Sequence, residues 1–255
     1  MKKLFLFLLT MLTCAPLMAQ DSDNTERLWY DTPATIWLEA LPIGNGRLGG
    51  MVYGGPQTDE IQLNEDSFWS GGPHNNNSTT AKANLEQVRN LIFQGKEQQA
   101  EDLINQKFIK GPHGMKYLTL GSLKMTHAGI STTKVTNYMR ELDLQTALSR
   151  VSFEQDGHHY QRTAFASMPD SVIIIQLKAG KKGKLAFEIA YQSQLPATVS
   201  THHKCQCPLT EGKNSQGARL TASVHGVEQE GIDAGLTAEC MVDVRADGVV
   251  SHLGS

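Results

Sequence analysis

The sequence predicts a mainly β protein: a β-sandwich with a short two-helix insertion at about residues 81–108. Several segments of similar length alternate apolar and polar residues, which is the pattern of half-buried strands. Turns rich in glycine, asparagine and aspartate separate these segments. A single stretch places its apolar residues at helical spacing. With 40% hydrophobic residues in a chain of 255, a sizeable core can form.

The first nineteen residues have the pattern of a secretory signal peptide. Lys2 and Lys3 precede an apolar run over residues 4–12, and Ala19 offers a cleavage site before Gln20. The run is about half of the roughly 20 residues that a membrane span needs. We therefore expect a protein exported to the periplasm or the extracellular space. An uncleaved anchor and a lipid attached to Cys14 are alternatives, although the residues before Cys14 fit a lipidation signal poorly.

The first strands are predicted at residues 48–52 and 61–63. Residues 54–58, with two glycines and a proline, form the turn between them. The preceding run of glycines, residues 44–50, does not match a nucleotide-binding fingerprint, because a strand rather than a helix follows it. We therefore interpret these glycines as turn and close-packing positions.

The stretch from residue 81 to residue 108 predicts two short helices. Gly95 divides them, and Gly111-Pro112 ends the second. Thr79 or Thr80 is placed to cap the first helix. The apolar positions that define their inward faces are Leu85, Val88, Leu91, Ile92, Ala100, Leu103 and Ile104.

The remainder of the chain predicts strands. Asp156-Gly157 marks a hairpin turn, residues 172–175 are expected to be buried on both faces, and residues 194–216 are expected to form a long polar loop. A final hairpin signal at Asp247-Gly248 leads into a strand that stops within a few residues, so we expect the domain, residues 26–255, to be truncated at its C-terminal end. The predicted strands are residues 140–144, 150–154, 159–166, 171–179, 185–191, 218–224 and 236–244.

Charge and cysteine content exclude several classes of protein. A formal net charge of −3 offers no electrostatic basis for binding nucleic acid. After export, Cys240 could form a disulfide with either Cys205 or Cys207. The His and Cys residues of 202–207 are crowded in one loop rather than arranged as two separated pairs, so a zinc site is not expected. We expect no metal, no organic cofactor and no membrane span.

Five blocks in order resemble glycoside hydrolase family 95, the α-L-fucosidases and their relatives. The longest is residues 28–73, from LWYDTPATIWLEALPIGNGRLGG to LNEDSFWSGGP. The resemblance implies an N-terminal β-supersandwich, which in that family packs against a catalytic (α/α)6 barrel that this chain lacks. Ser122, where the family has aspartate, and Thr119, where it has proline, depart from the pattern. The other blocks are residues 91–96, 117–123, 138–147 and 162–170.

The resemblance implies an exported glycoside hydrolase that removes terminal α-L-fucose with inversion of configuration. Its general acid, a glutamate, and its water-holding asparagines belong to the barrel in this family. No residue here matches them, so we expect no catalytic residue and no turnover by this chain alone. The expected partners are a fucosylated oligosaccharide or glycan and the missing barrel domain. The alternative is a non-catalytic carbohydrate-binding or scaffolding module.

The candidate substrate-binding residues are Asn64, Glu65 and Trp69. Trp69 lies in a Ser- and Gly-rich loop, and an indole face suits the apolar side of a sugar ring. Trp29 and Trp37 could stack on a sugar in the same way, or pack against protein. Glu65 and Asp66 are adjacent, so on a strand they point to opposite faces and cannot together flank one glycosidic bond. Glu65 either lines the sugar pocket or holds its own loop through backbone amides.

Overall fold

A computed structural model describes residues 26–111, 114–181, 185–203 and 216–246. The predicted signal peptide, Cys14, Cys205, Cys207 and the hairpin at Asp247-Gly248 lie outside these ranges, so those statements stay predictions. Cys240 is half-buried on a strand, and burial raises the pKa of its thiol to about 11.

Within the described ranges the chain forms thirteen strands and two α-helices. The helices are α1 (Ala81–Phe93) and α2 (Glu97–Lys107). The strands are β1 (Arg27–Tyr30), β2 (Leu41–Gly44), β3 (Leu48–Val52), β4 (Thr58–Glu65), β5 (Ser122–His127), β6 (Thr136–Asp143), β7 (Leu148–Gln155), β8 (His158–Ser167), β9 (Val172–Ala179), β10 (Phe187–Gln192), β11 (Ala197–His203), β12 (Gln216–His225) and β13 (Thr237–Ala246).

The strands form three antiparallel sheets. The first has the order β1-β6-β7-β8-β9, the second β10-β5-β4-β3-β2, and the third β11-β12-β13. Hairpin chemistry sets the register in the first sheet: Asp156 and Gly157 both have positive φ, as a two-residue turn between β7 and β8 requires. That register pairs Phe153 with Tyr160, whose rings stack at 5.2 Å.

The core lies between the first two sheets, and the third sheet contributes to it. The alternation of β4 and β5 sends Ile61, Leu63, Leu123 and Met125 inward, where burial of each large apolar side chain contributes about 1.5–3 kcal/mol. The predicted mainly β sandwich is confirmed, and the described residues contain no barrel of helices. Other residues of this core are Leu41, Ile43, Val52, Phe68, Leu118, Leu120, Leu142, Ala164 and Val224.

The two-helix insertion is also confirmed, with one correction. Neither Thr79 nor Thr80 caps α1; the Ser78 hydroxyl accepts the Ala81 amide at 3.1 Å instead. The helices pack mainly against each other, with Val88 and Ala100 buried. Phe93, at the end of α1, is 86% exposed. Neither helix, nor any other helical segment in the described ranges, has the length and apolarity of a membrane-crossing helix.

Two strand predictions were wrong. Residues 172–175 are not buried on both faces: Val172 and Ile174 are exposed, because only the face of β9 that carries Ile173 and Ile175 packs on the core. Residues 194–216 are not all loop, since β11 begins at Ala197 and pairs with β12 through residue 203. Thr and Val suit a strand, but this edge strand lacks the alternation that would have revealed it.

A buried polar cluster joins the two main sheets. Asp59, fully buried on β4, pairs with the buried guanidinium of Arg162 on β8. Asp59 Oδ1 also accepts the amides of Gly54, Gly55 and Glu60 at 2.7, 3.1 and 2.9 Å, which closes the turn before β4. Arg162 Nη2 lies 3.2 Å from His127 Nε2. Since guanidinium only donates, Nε2 accepts and the imidazole is neutral.

We expect His127 to make the domain sensitive to mild acid. Burial and the neighbouring Arg162 charge lower the pKa of His127 from 6.5 to about 4. Above the pKa of His127 in the unfolded chain, the imidazole is neutral in both the folded and the unfolded state. Between that pKa and the lower folded pKa, only the unfolded chain binds a proton, so the free energy of unfolding falls as pH falls. Urea unfolding at pH 7 and about pH 5.5 should differ by about 1 kcal/mol from this group. His127→Gln should remove that difference, whereas exposed His159→Gln should retain it.

Candidate functional site

The candidate site lies where β4 ends and the chain turns. Residues 66 and 67 form the turn, and the backbone of Trp69 then makes an antiparallel bridge with Tyr117. Leu118 donates to the Phe68 carbonyl at 3.0 Å. Residues that lie opposite each other in an antiparallel pair place their side chains on the same face of the pair. Phe68 and Leu118 therefore enter the core together, and the rings of Trp69 and Tyr117 emerge together on the opposite side.

The two emergent rings form an aromatic pair. Their centroids are 5.0 Å apart and their planes are tilted by 53°. Trp69 remains 41% exposed and Tyr117 remains 47% exposed. Trp69 Nε1 donates to the Asp66 carbonyl at 2.8 Å, which sets the direction of the indole. Burial raises the pKa of Tyr117, and a hydrogen bond with the Asn64 side chain partly offsets that rise.

Glu65 is held by its own loop. One carboxylate oxygen accepts Arg47 Nε at 2.9 Å, and the other accepts the Ser67 amide and hydroxyl at 2.9 and 2.7 Å. Burial alone would raise the pKa of Glu65, but these hydrogen bonds outweigh burial and lower it to about 2. A carboxyl that stays ionised at neutral pH cannot serve as a general acid. Its observed contacts are therefore those of a residue that shapes the loop.

The hairpin between β2 and β3 lies on one side of the loop at the end of β4, residues 65–71, and supports it. Asn45 Oδ1 accepts the amides of Arg47 and Leu48 at 3.1 and 2.8 Å, which shapes the hairpin. Asn45 Nδ2 also donates to the Ser167 carbonyl of β8 at 2.7 Å, which ties this hairpin to the first sheet. The sequence signal here is the Asn45-Gly46 turn, but it did not indicate that Arg47 would pair with Glu65.

The segment after β12 supports the loop from the other side. Buried Ser70 donates from its hydroxyl to Gln229 at 2.6 Å, and Gln229 in turn donates to the Gly114 carbonyl at 2.8 Å. The Gly71 amide donates to Val227 and the Gly71 carbonyl accepts Gly235, both at 2.8 Å. Sequence reasoning missed Gln229 because 159 residues separate it from Ser70 and no local pattern connects them.

The other two tryptophans lie on different elements. Trp29 is on the edge strand β1 and Trp37 is in a short 3-10 turn, and both are exposed. Arg140 holds this segment: it donates to the carbonyls of Thr32 and Glu39 at 2.7 and 2.6 Å and lies over the Tyr30 ring. The ring that contacts Trp69 is that of Tyr117, which the sequence had not singled out as a site residue. The ranges that the structure describes contain no group of three or more potential metal ligands.

The fold defines the class of a β-sandwich domain. The family described as glycosyl hydrolase family 65, N-terminal domain, matches residues 28–251. This chain belongs to that family.

Three relatives carry fucosidase names. The chain is 34% identical over 195 residues to Alpha-L-fucosidase 2 of Arabidopsis thaliana. The aligned region covers 76% of this chain and 23% of that protein. It is 31% identical over 187 residues to Probable alpha-fucosidase A of Aspergillus niger, covering 69% and 23%. Probable alpha-fucosidase A of Aspergillus oryzae is 28% identical over 235 residues, covering 87% and 29%. The chain thus spans about a quarter of the length of these curated relatives.

These matches confirm the resemblance to the N-terminal domain of the family 95 fucosidases. The matching domain description carries the number 65, while the similar curated proteins are named as fucosidases.

Proposed function

We propose that this chain is the N-terminal domain of an inverting α-L-fucosidase, and that it acts on fucosylated oligosaccharides only together with a catalytic barrel. The observation that carries the proposal is the similarity to fucosidases over 69–87% of this chain, at 28–34% identity. The similarity covers about a quarter of the length of those proteins, so activity is inferred for a whole polypeptide and not for this domain.

The geometry around Trp69 supports a non-catalytic domain. An inverting hydrolase needs a protonated acid and a second carboxylate about 6.5–9.5 Å apart, across the sugar. Glu65 and Asp66 are adjacent in the loop, and Glu65 is ionised and bound to Arg47 and Ser67. Moving either carboxylate to the opposite side of a bound sugar would break the turn that positions Trp69. Catalysis by this pair would require a different loop.

We assign Asn64, Glu65 and Trp69 to the glycan-binding surface, Asn64 and Trp69 by direct contact and Glu65 through Arg47. Trp69 offers an exposed ring face to the apolar side of a sugar. Asn64, half-buried beside Tyr117, offers an amide to a hydroxyl. Glu65 acts by fixing Arg47, whose guanidinium is largely exposed and can donate to a sugar oxygen. The carbohydrate-binding module, as an alternative function, is favoured by the same exposed rings.

Purified residues 20–255 should release no L-fucose from 2′-fucosyllactose above the enzyme-free control, because Glu65 and Asp66, the adjacent carboxylates of the described loop, cannot act as an acid–base pair across a sugar. Sugar release measured by anion-exchange chromatography tests this. Sustained turnover, abolished by Glu65→Gln or Asp66→Asn, would contradict the proposal. Saturable binding of the same oligosaccharide without turnover, lost in Trp69→Ala and retained in Trp29→Ala, would favour the binding-module alternative for the isolated domain.

A further inference from the structure

The helical insertion carries a cleft of about 430 Å³ between α1 and α2. Small-molecule sites commonly have volumes of about 300–1,000 Å³. Positions 87 and 91 on α1, and 99, 103 and 106 on α2, are three or four residues apart, so each set lies on one side of its helix. The cleft is lined by Gln87, Leu91, Gln99, Asp102, Leu103 and Gln106.

The lining combines a small apolar floor with exposed polar groups. Leu91 and Leu103 are half-buried, whereas the three glutamines and Asp102 are exposed. Each glutamine amide both donates and accepts hydrogen bonds, and a carboxylate accepts them. One Asp102 oxygen accepts Gln98 Nε2 at 3.2 Å, so the carboxylate keeps a second oxygen that can accept from a ligand.

This lining disfavours several classes of ligand. The six residues include no Lys, Arg or His, so they offer no positive charge to a phosphate or an acidic sugar. They include no Cys or His for Zn²⁺, and a single carboxylate carries little charge for Ca²⁺. The ligand that fits is neutral and presents many hydroxyls on a carbon frame, which describes a sugar ring.

The cleft and the aromatic pair belong to the same excursion of the chain. Trp69 and Tyr117 bridge at its base. One residue further out, the Ser70 amide donates to the Lys116 carbonyl at 2.9 Å, and both helices lie between these two residues in sequence. A ligand made of linked sugar units can contact two areas of one insertion, and the second contact then forms at a high effective concentration.

We propose that the cleft between α1 and α2 is a second glycan-contact site, which binds a neutral sugar unit of an oligosaccharide. The inference goes beyond the proposed function and shares with it only the class of ligand. Gln87 from α1, and Gln99 and Gln106 from α2, bind the sugar hydroxyls, while the leucine floor contacts ring C–H groups. Because no aromatic ring lines the cleft, the Kd is on the order of a millimolar.

NMR of the ¹⁵N-labelled chain tests this site directly, because each glutamine side-chain amide gives its own signals. Titration with 2′-fucosyllactose to tens of millimolar should shift the amides of Gln87, Gln99 and Gln106 in a saturable way. The amide of Gln94, which is exposed just beyond the end of α1, should not move. The absence of any shift in the three cleft amides would overturn the inference.

Variants on the helix surface separate binding from folding. Gln99→Ala combined with Gln106→Ala removes two amides and should weaken binding at least about five-fold, measured from the Gln87 amide. Alanine is the strongest helix former, so α2 should persist, and circular dichroism checks this. Gln94→Ala is the matched control and should bind like the native chain. Undiminished affinity in the double variant would contradict the assigned cleft.

Two further ligands test the neutral-sugar class. 3′-Sialyllactose, also a trisaccharide but negatively charged, should bind more weakly at low salt because Asp102 is the only charged group in the lining. Triglycine amide presents peptide groups that glutamine amides could also bind. Equal or tighter binding of either compound at the cleft amides would overturn the preference for a neutral sugar.

These outcomes are distinguishable from those of the proposed function. Trp69→Ala should leave the shifts of the cleft amides in place, because the cleft lies on the helices. Failure of the cleft to bind leaves the fucosidase assignment untouched. Turnover by the chain alone contradicts the proposed function and leaves the expected amide shifts unchanged.

Discussion

Replacing Asp59 by asparagine should lower the free energy of unfolding by about 3–5 kcal/mol. The substitution removes the charge that balances Arg162, whose side chain is only 3% exposed. Arg162 cannot lose its proton, so the variant carries an uncompensated buried cation. Asparagine keeps an oxygen for the three backbone amides that Asp59 Oδ1 accepts, but its amide nitrogen would then face the Arg162 guanidinium, and neither of these two groups can accept a hydrogen bond. Urea unfolding followed by tryptophan fluorescence measures the loss.

The chain offers a matched control for that experiment. Arg219 and Asp243 form a bidentate pair at 2.6 and 2.8 Å, but both side chains are about one third exposed. Asp243→Asn should therefore cost less than about 1 kcal/mol. The double variant Asp59→Asn with Arg162→Met removes the stranded charge, and it should be more stable than Asp59→Asn alone. Equal losses for the buried and the exposed aspartate would refute the assigned role of the cluster.

Gly121→Ala should cost about 2–5 kcal/mol. Gly121 has a φ of +90°, and a Cβ there would lie 2.6 Å from the Tyr191 hydroxyl oxygen and 2.7 Å from the Gln192 carbonyl oxygen. The Tyr191 hydroxyl cannot retreat freely, because it donates to the Leu120 carbonyl. Thermal unfolding by circular dichroism measures the effect.

Gly129→Ala separates backbone strain from crowding. Gly129 has a similar φ of +83°, but no atom lies within 4 Å of the position that its Cβ would take. This variant should lose only about 1–2 kcal/mol, the cost of the left-handed conformation. Tyr191→Phe combined with Gly121→Ala should recover only part of the loss, because it removes the hydroxyl contact but leaves the ring carbon Cζ at 2.8 Å and the Gln192 carbonyl oxygen at 2.7 Å. A Gly121 variant as stable as the Gly129 variant would show that the crowding is absent.

Local patterns predicted most of the strands and both helices. Alternation located β7 and β8, and Asp156-Gly157 predicted their turn, because each depends on residues close together in the chain. Four strands, β1, β2, β5 and β11, escaped prediction. β1, β2 and β11 are edge strands that each pair with one neighbour, whereas β5 lies inside its sheet between β10 and β4.

The candidate site was predictable only in its local parts. Trp69 in a Ser- and Gly-rich loop suggested exposure, and the structure shows an exposed indole. Its partner Tyr117 and the supports Arg47 and Gln229 are set by contacts across distant segments, which a single sequence does not display. The same holds for Asp59 and Arg162, which are 103 residues apart and appear in sequence as ordinary surface charges.

Hydrogen bonds join the two ends of the helical insertion. The Ser78 and Thr80 hydroxyls both donate to the Lys107 carbonyl, at 2.5 and 2.7 Å, so the insertion begins and ends at the same place on the sandwich. These hydrogen bonds hold the two ends of the insertion together whatever the length of the helices between them. We therefore expect an inserted reporter peptide at Gly95, where the helical hairpin turns and no atom crowds the backbone, to leave the registers of the sheets unchanged.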